Sequence, residues 1–93
     1  MPIVFYIPGM LREHSGGRAE VRIDNRAQTV GEALTALWRE CPGLRDRLVT
    51  EQGHVRQHVN IFVGDENIRD CGGFLAAVPD GAAITIVPAV SGG

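Results

Sequence analysis

Asp80-Gly81-Ala82-Ala83-Ile84-Thr85-Ile86-Val87-Pro88-Ala89-Val90-Ser91-Gly92-Gly93 joins a turn to an apolar strand and a glycine-rich end. Pro79-Asp80-Gly81-Ala82 reads as a tight turn, the proline presetting φ and the glycine supplying a positive one. Ala83–Pro88 then alternates, with Ile84 and Ile86 on the inward face of a strand. Residues 2–8 alternate too: Ile3, Phe5 and Ile7 share one face, Val4 and Tyr6 the other. Both runs are strongly apolar. The first and last strands are therefore expected side by side in the middle of one sheet.

Residues 9–18 read as a loop closed by Ser15-Gly16-Gly17. Residues 19–24 alternate again, with Val21 and Ile23 inward, so the first two strands form a hairpin with a long connection. Thr29-Val30-Gly31-Glu32 is a capping box: the Thr29 hydroxyl accepts from the Glu32 amide, and Glu32 reaches back to the cap. Val30, Ala33, Leu34, Leu37, Trp38 and Cys41 follow in steps of three and four, the stripe of an amphipathic helix with Trp38 in the core. Pro42-Gly43 is expected to stop it, with a short further helical turn over 44–49. Residues 58–64 read as a third strand with Val59, Ile61 and Val63 on one face. Residues 64–67 read as a turn, Ile68-Arg69 as a short edge strand, and residues 74–78 as an irregular or 3₁₀ piece after Cys71-Gly72-Gly73. No strand–helix–strand alternation repeats, which excludes a doubly wound sheet. The expected class is α+β: a mixed sheet of about four to five strands with one main helix on one face.

Composition narrows the function. The chain has 93 residues, 44% of them hydrophobic and 22% charged, and a net charge of −2. That is one globular domain with little room for a deep cleft. There is no basic run for nucleic acid and no apolar stretch long enough for a membrane span. The Met1 end reads without a signal peptide, so the expected location is the cytoplasm. All nine basic side chains are arginine and lysine is absent. Genomic base composition accounts for this; so does protection of an activated C-terminus from amines. Either way the chain cannot polymerise with itself through lysine.

No catalytic set emerges. Cys41 and Cys71 have no CxxC partner and read as structural or neutral. His54 and His58 lack a third ligand, so no metal is expected. Asp65-Glu66 is a solvated turn, Asp46 and Asp80 show no acid–base pattern, and Ser91 has no nucleophile's context. The chain is not expected to be an enzyme or to hold a cofactor of its own.

What remains is the terminus. The stretch 80–93 resembles the signature end of the ThiS/MoaD family: a turn with an acidic residue and glycine, an apolar strand, a proline, then Gly-Gly. That family has the β-grasp, ubiquitin-like fold, which matches the element order. Residues 59–69 (VNIFVGDENIR), with Ile7-Pro8, Leu11-Arg12 and His14-Ser15-Gly16-Gly17, are similar to its CysO-type carriers, which serve cysteine synthesis. The resemblance implies a domain over 1–89 and a flexible tail over 90–93. It implies that an E1-like enzyme adenylates the Gly93 carboxylate with ATP, and that sulfide or a persulfide then replaces AMP to give a thiocarboxylate. Implied next are a pyridoxal-phosphate cysteine synthase as acceptor and a JAMM-type metalloprotease that frees the amino acid. ATP and pyridoxal phosphate belong to those partners.

The tail has a physical logic of its own. A carboxylate is a poor electrophile, and the adenylate gives it a leaving group. Val90, Ser91 and Gly92 would carry Gly93 through a narrow channel; glycine lacks the Cβ that would jam there. Four extended residues reach roughly 13 Å. Val87 and Pro88, with Phe62 on the outer sheet face, are the expected docking residues. Rival readings are the small subunit of molybdopterin synthase, a ubiquitin-like protein modifier, and a plain interaction domain.

Overall fold

A computed structural model of the chain describes residues 2–24 and 27–88. Five strands form one sheet: β1 (Ile3–Tyr6), β2 (Glu20–Ile23), β3 (Val59–Val63), β4 (Glu66–Asn67) and β5 (Ala83–Pro88), in the order β2-β1-β5-β3-β4. β1 and β5 are parallel neighbours at the centre, with Phe5 opposite Ile84. The other pairs are antiparallel. The strand period of two puts Ile3, Phe5, Val21, Ile23, Val59, Ile61, Ile84 and Ile86 on one face, and all eight are buried. α1 (Val30–Glu40) and α2 (Pro42–Leu48) bring Val30, Ala33, Leu34, Leu37, Leu44 and Leu48 into the same core. This is the α+β arrangement expected, with β1 and β5 where their apolar character places them.

Several local expectations need correcting. The Thr29 hydroxyl does accept from the Glu32 amide at 3.2 Å, but the Glu32 carboxylate accepts from the Gln28 amide at 2.7 Å, one residue ahead of the cap. Around the Thr29–Ala77 bridge the Val30 amide donates to the Ala76 carbonyl and the Val78 amide to the Gln28 carbonyl, so the Gln28 amide is not used by the bridge and donates to Glu32. Thr29→Ala is expected to lower stability by about 1 kcal/mol in urea unfolding. α1 does stop ahead of Pro42-Gly43, capped by Cys41, but the further helix begins earlier than residue 44: Pro42 opens α2, where a missing N–H costs nothing. Trp38 is only partly buried at the edge of the core.

Residues 9–18 contain a 3₁₀ segment, Gly9–His14, in place of a plain loop. It is pinned by the buried Ser15, whose hydroxyl lies 2.7 Å from the Arg18 carbonyl and 3.1 Å from that of Arg12. The β3–β4 turn is only Gly64-Asp65, with Gly64 at φ +60°, as a two-residue II′ hairpin requires. The edge strand therefore falls on Glu66–Asn67, and Ile68–Asp70 is a 3₁₀ turn rather than a strand. Beyond it the Arg69 guanidinium donates to the carbonyls of Arg56 (2.9 Å) and Val59 (2.8 Å) and to Asn60 Oδ1 (3.2 Å). That fork ties the approach to β3 to the sheet's edge.

Candidate functional site

The site is where β5 leaves the sheet. β5 is central, so its end at Pro88 emerges between two neighbours: the chain beyond β1 on one side and the start of β3, opposite Val59, on the other. Proline has no amide to donate to the ladder and holds φ near one value. Val90, Ser91, Gly92 and Gly93 lie outside the described residues.

Two surfaces flank this exit. The first is the sheet face turned away from the helices. Across it Tyr6 pairs with Thr85 and Thr85 with Phe62, while Val87 pairs with Asn60. Tyr6 and Val87 are each 41% exposed, and Phe62 is half-buried. An apolar group of this kind on a β-strand surface is a ready contact for a partner. Phe62 and Val87 thus share a face. Pro88 has the opposite parity and points toward the second surface. Tyr6 was legible only in part: alternation over 2–8 turns it away from Ile3, Phe5 and Ile7, but only pairing of β1 with β5 sets it beside Thr85.

The second surface is a groove of about 240 Å³ lined by Met10, Leu11, Glu13, His14, Arg47, His58, Val59 and Pro88. Neither His14 nor Arg47 has a sequence pattern that announces this meeting, and His54 lines no part of it. A larger groove of about 460 Å³ lies on the helix side against Trp38, Phe74 and Leu75, and shares no residue with the exit.

Neither cysteine lines the groove at the exit. Cys41 is buried, with the Arg18 guanidinium 3.3 Å from its sulfur. The Cys71 thiol is pushed up from its ordinary pKa, first by desolvation and then by the carboxylates of Glu66 and Asp70, which disfavours the thiolate. Among the described residues no group of three or more His, Cys, Asp or Glu is placed to hold a metal ion, and no helix is long and apolar enough to cross a membrane.

A mixed five-stranded sheet with parallel central β1 and β5, backed by helices on one face, defines a β-grasp protein of the ubiquitin-like class. The profile of the ThiS family matches residues 5–93, and the chain belongs to that family. It is similar to sulfur carrier protein CysO of Mycobacterium tuberculosis, with 37% identity over 95 residues and 100% of both chains covered. It is also 39% identical over 72 residues to small archaeal modifier protein 3 of Haloferax volcanii, covering 77% of this chain and 76% of the relative. Among solved structures, a chain of the Amycolatopsis orientalis BexX/CysO complex superposes with a TM-score of 0.87 at 37% identity, covering 98% of this chain and 99% of the other. These relatives are named as carriers and modifiers.

Proposed function

We propose that this chain is a sulfur carrier that works through the carboxylate of Gly93, with cysteine biosynthesis as the pathway served. The observation that carries the reading is the end-to-end similarity to a sulfur carrier protein, joined to a Gly-Gly terminus that follows the sheet's central strand. A carboxylate oxygen of Gly93 attacks the α-phosphorus of ATP in an E1-like partner, and pyrophosphate leaves. Hydrosulfide then attacks the acyl carbon and AMP leaves, so that the carboxylate has become a thiocarboxylate. Its sulfur bonds to the β-carbon of an activated serine, whose β-substituent departs as an anion, in a cysteine synthase-type acceptor enzyme whose cofactor is pyridoxal phosphate. The amino acid stays joined to the carrier's acyl group until a JAMM-type metalloprotease adds water across the link and restores Gly93. No cofactor is assigned to this chain, whose part is to dock and present one atom.

Adenylation is reversible, so the carrier should support exchange of labelled pyrophosphate into ATP by its activating enzyme. Exchange that is independent of the chain would overturn the reading. On the outer face, Val87→Asp and Phe62→Ala are expected to raise the KM for the chain in that assay about tenfold. The thermal midpoint of Val87→Asp should stay unchanged, because Val87 is 41% exposed.

A second reading, a protein modifier with Gly93 joined to a target lysine, is favoured by the similarity to small archaeal modifier protein 3. High-mass conjugates carrying this chain on an immunoblot would support it. Because the chain lacks lysine, such conjugates would not be extended into lysine-linked chains of this protein.

A further inference from the structure

β2 is an edge of the sheet, with β1 on one side and no described strand on the other. The Ile7 amide donates to the Ala19 carbonyl at 2.8 Å, so these two form a hydrogen-bonded pair at the end of the β1–β2 ladder. Antiparallel alternation then makes Phe5–Val21 and Ile3–Ile23 hydrogen-bonded pairs as well. The N–H and C=O groups of Glu20 and Arg22 therefore point away from β1, along the open edge. Among the described residues no other segment bonds to them. Their side chains are exposed on the outer face, and Val21 between them is buried on the other. Neither Glu20 nor Arg22 has an ion-pair or side-chain hydrogen-bond partner among the described residues. Charge on an edge strand ordinarily guards it against pairing. Here the two charges have opposite sign and stand two residues apart, which makes the edge complementary to itself.

We propose that the β2 edge pairs with the β2 edge of a second copy of this chain, antiparallel and about a two-fold axis through Val21. In that register Glu20 of each copy lies directly opposite Arg22 of the other. The outward backbone groups of both residues meet their counterparts, so the charged pairs are also the hydrogen-bonded pairs. A slip of one residue sets those groups against residues whose own backbone groups point inward. A slip of two sets Glu20 against Glu20, or Arg22 against Arg22, and like charges directly opposite are destabilising. One register is thus favoured and its neighbours are penalised, as a symmetric interface requires. The product is one ten-stranded sheet, with α1 and α2 of both copies on the same face. The two β5 strands lie five strand spacings apart, roughly 24 Å. They run in opposite directions, so their Pro88 ends fall at opposite ends of the joined sheet. Four residues a side make a small interface, and the pairing is a weak one, with a Kd of about 0.1–1 mM. The inference does not depend on the carrier reading.

The test is sedimentation velocity of the full chain from about 0.02 to 2 mM at low salt, with amide chemical shifts followed over the same dilution. The wild type is expected to pass from monomer toward dimer, with the amides of Glu20 and Arg22 among those that shift. Glu20→Arg and Arg22→Glu, each alone, set like charges opposite in the favoured register. Each is expected to weaken self-association at least about tenfold. An equimolar mixture of the two single variants restores opposite charges at both positions and should associate at least as well as the wild type. So should the double variant that exchanges the two residues. Circular dichroism melts identify any variant that has lost its fold, in which case Glu20→Gln and Arg22→Gln take its place and should each weaken association a few-fold. A wild-type chain that stays monomeric to about 2 mM overturns the proposal. So do single variants that associate as the wild type does, or a mixture that associates no better than either variant alone.

Discussion

Replacing Gly92 by valine is expected to lower thiocarboxylate formation about a hundredfold while leaving the melting temperature unchanged. The reason lies in the chain next to the reacting carbon. Gly92 precedes Gly93, so its backbone must lie within the partner's site when the carboxylate reaches ATP. A valine there adds two methyl groups on Cβ and confines φ, ψ and χ1 to a fraction of what glycine explores. A misplacement of about 1 Å at a reacting centre costs roughly a hundredfold in rate. Gly92→Ala should fall between, since it adds one carbon without branching. Alkylation of the nascent thiocarboxylate, followed by mass spectrometry, gives the rate directly. Substitutions in a chain terminus beyond the last strand seldom change stability, so no such effect is expected. A Gly92→Val chain loaded at the wild-type rate would show that the tail meets no steric limit in the partner.

Phe5→Ala is expected to destabilise the fold by about 3–5 kcal/mol. Phe5 is fully buried on β1, opposite Val21 of β2 and Ile84 of β5, so its ring sits at the centre of the sheet's covered face. Truncation removes the ring's burial and leaves a cavity that neighbours on three strands cannot all collapse into. Domains of this size have about 5–15 kcal/mol in total, so this one change consumes much of the reserve. Urea unfolding at fixed pH should show a lower midpoint with the slope retained. A loss of unfolding free energy below about 1 kcal/mol would mean that the core is not organised around the β1–β5 pair.

How much of this was legible in the sequence depends on whether a residue's partner is local. The sheet's inward faces were, because alternation at Ile3, Phe5, Ile84 and Ile86 is a property of each strand alone. The neighbouring of β1 and β5 followed from their shared apolar character. The edge strand lies two residues ahead of its expected place because Gly64-Asp65 alone makes the turn, where the run of polar residues 64–67 suggests four. The 3₁₀ segment Gly9–His14 carries no apolar stripe; it is held by side chain-to-backbone bonds from Ser15 and by Arg12, whose Nε donates to the Ile7 carbonyl at 3.1 Å. Of the candidate site, Phe62 and Val87 could be set on the outer face from strand parity alone. Tyr6 needed the strand order. Arg47 and His58 are remote in sequence and meet only because α2 and the turn before β3 both end at the Pro88 exit, which no spacing rule anticipates.

The carrier reading is tested most directly by the intact mass of the chain after incubation with ATP, sulfide and the adenylating enzyme of the same organism. The expected result is a gain equal to exchanging one oxygen for one sulfur, dependent on ATP and absent from a chain lacking Gly92-Gly93. An unchanged mass with a cognate enzyme that is active on another carrier would contradict the account.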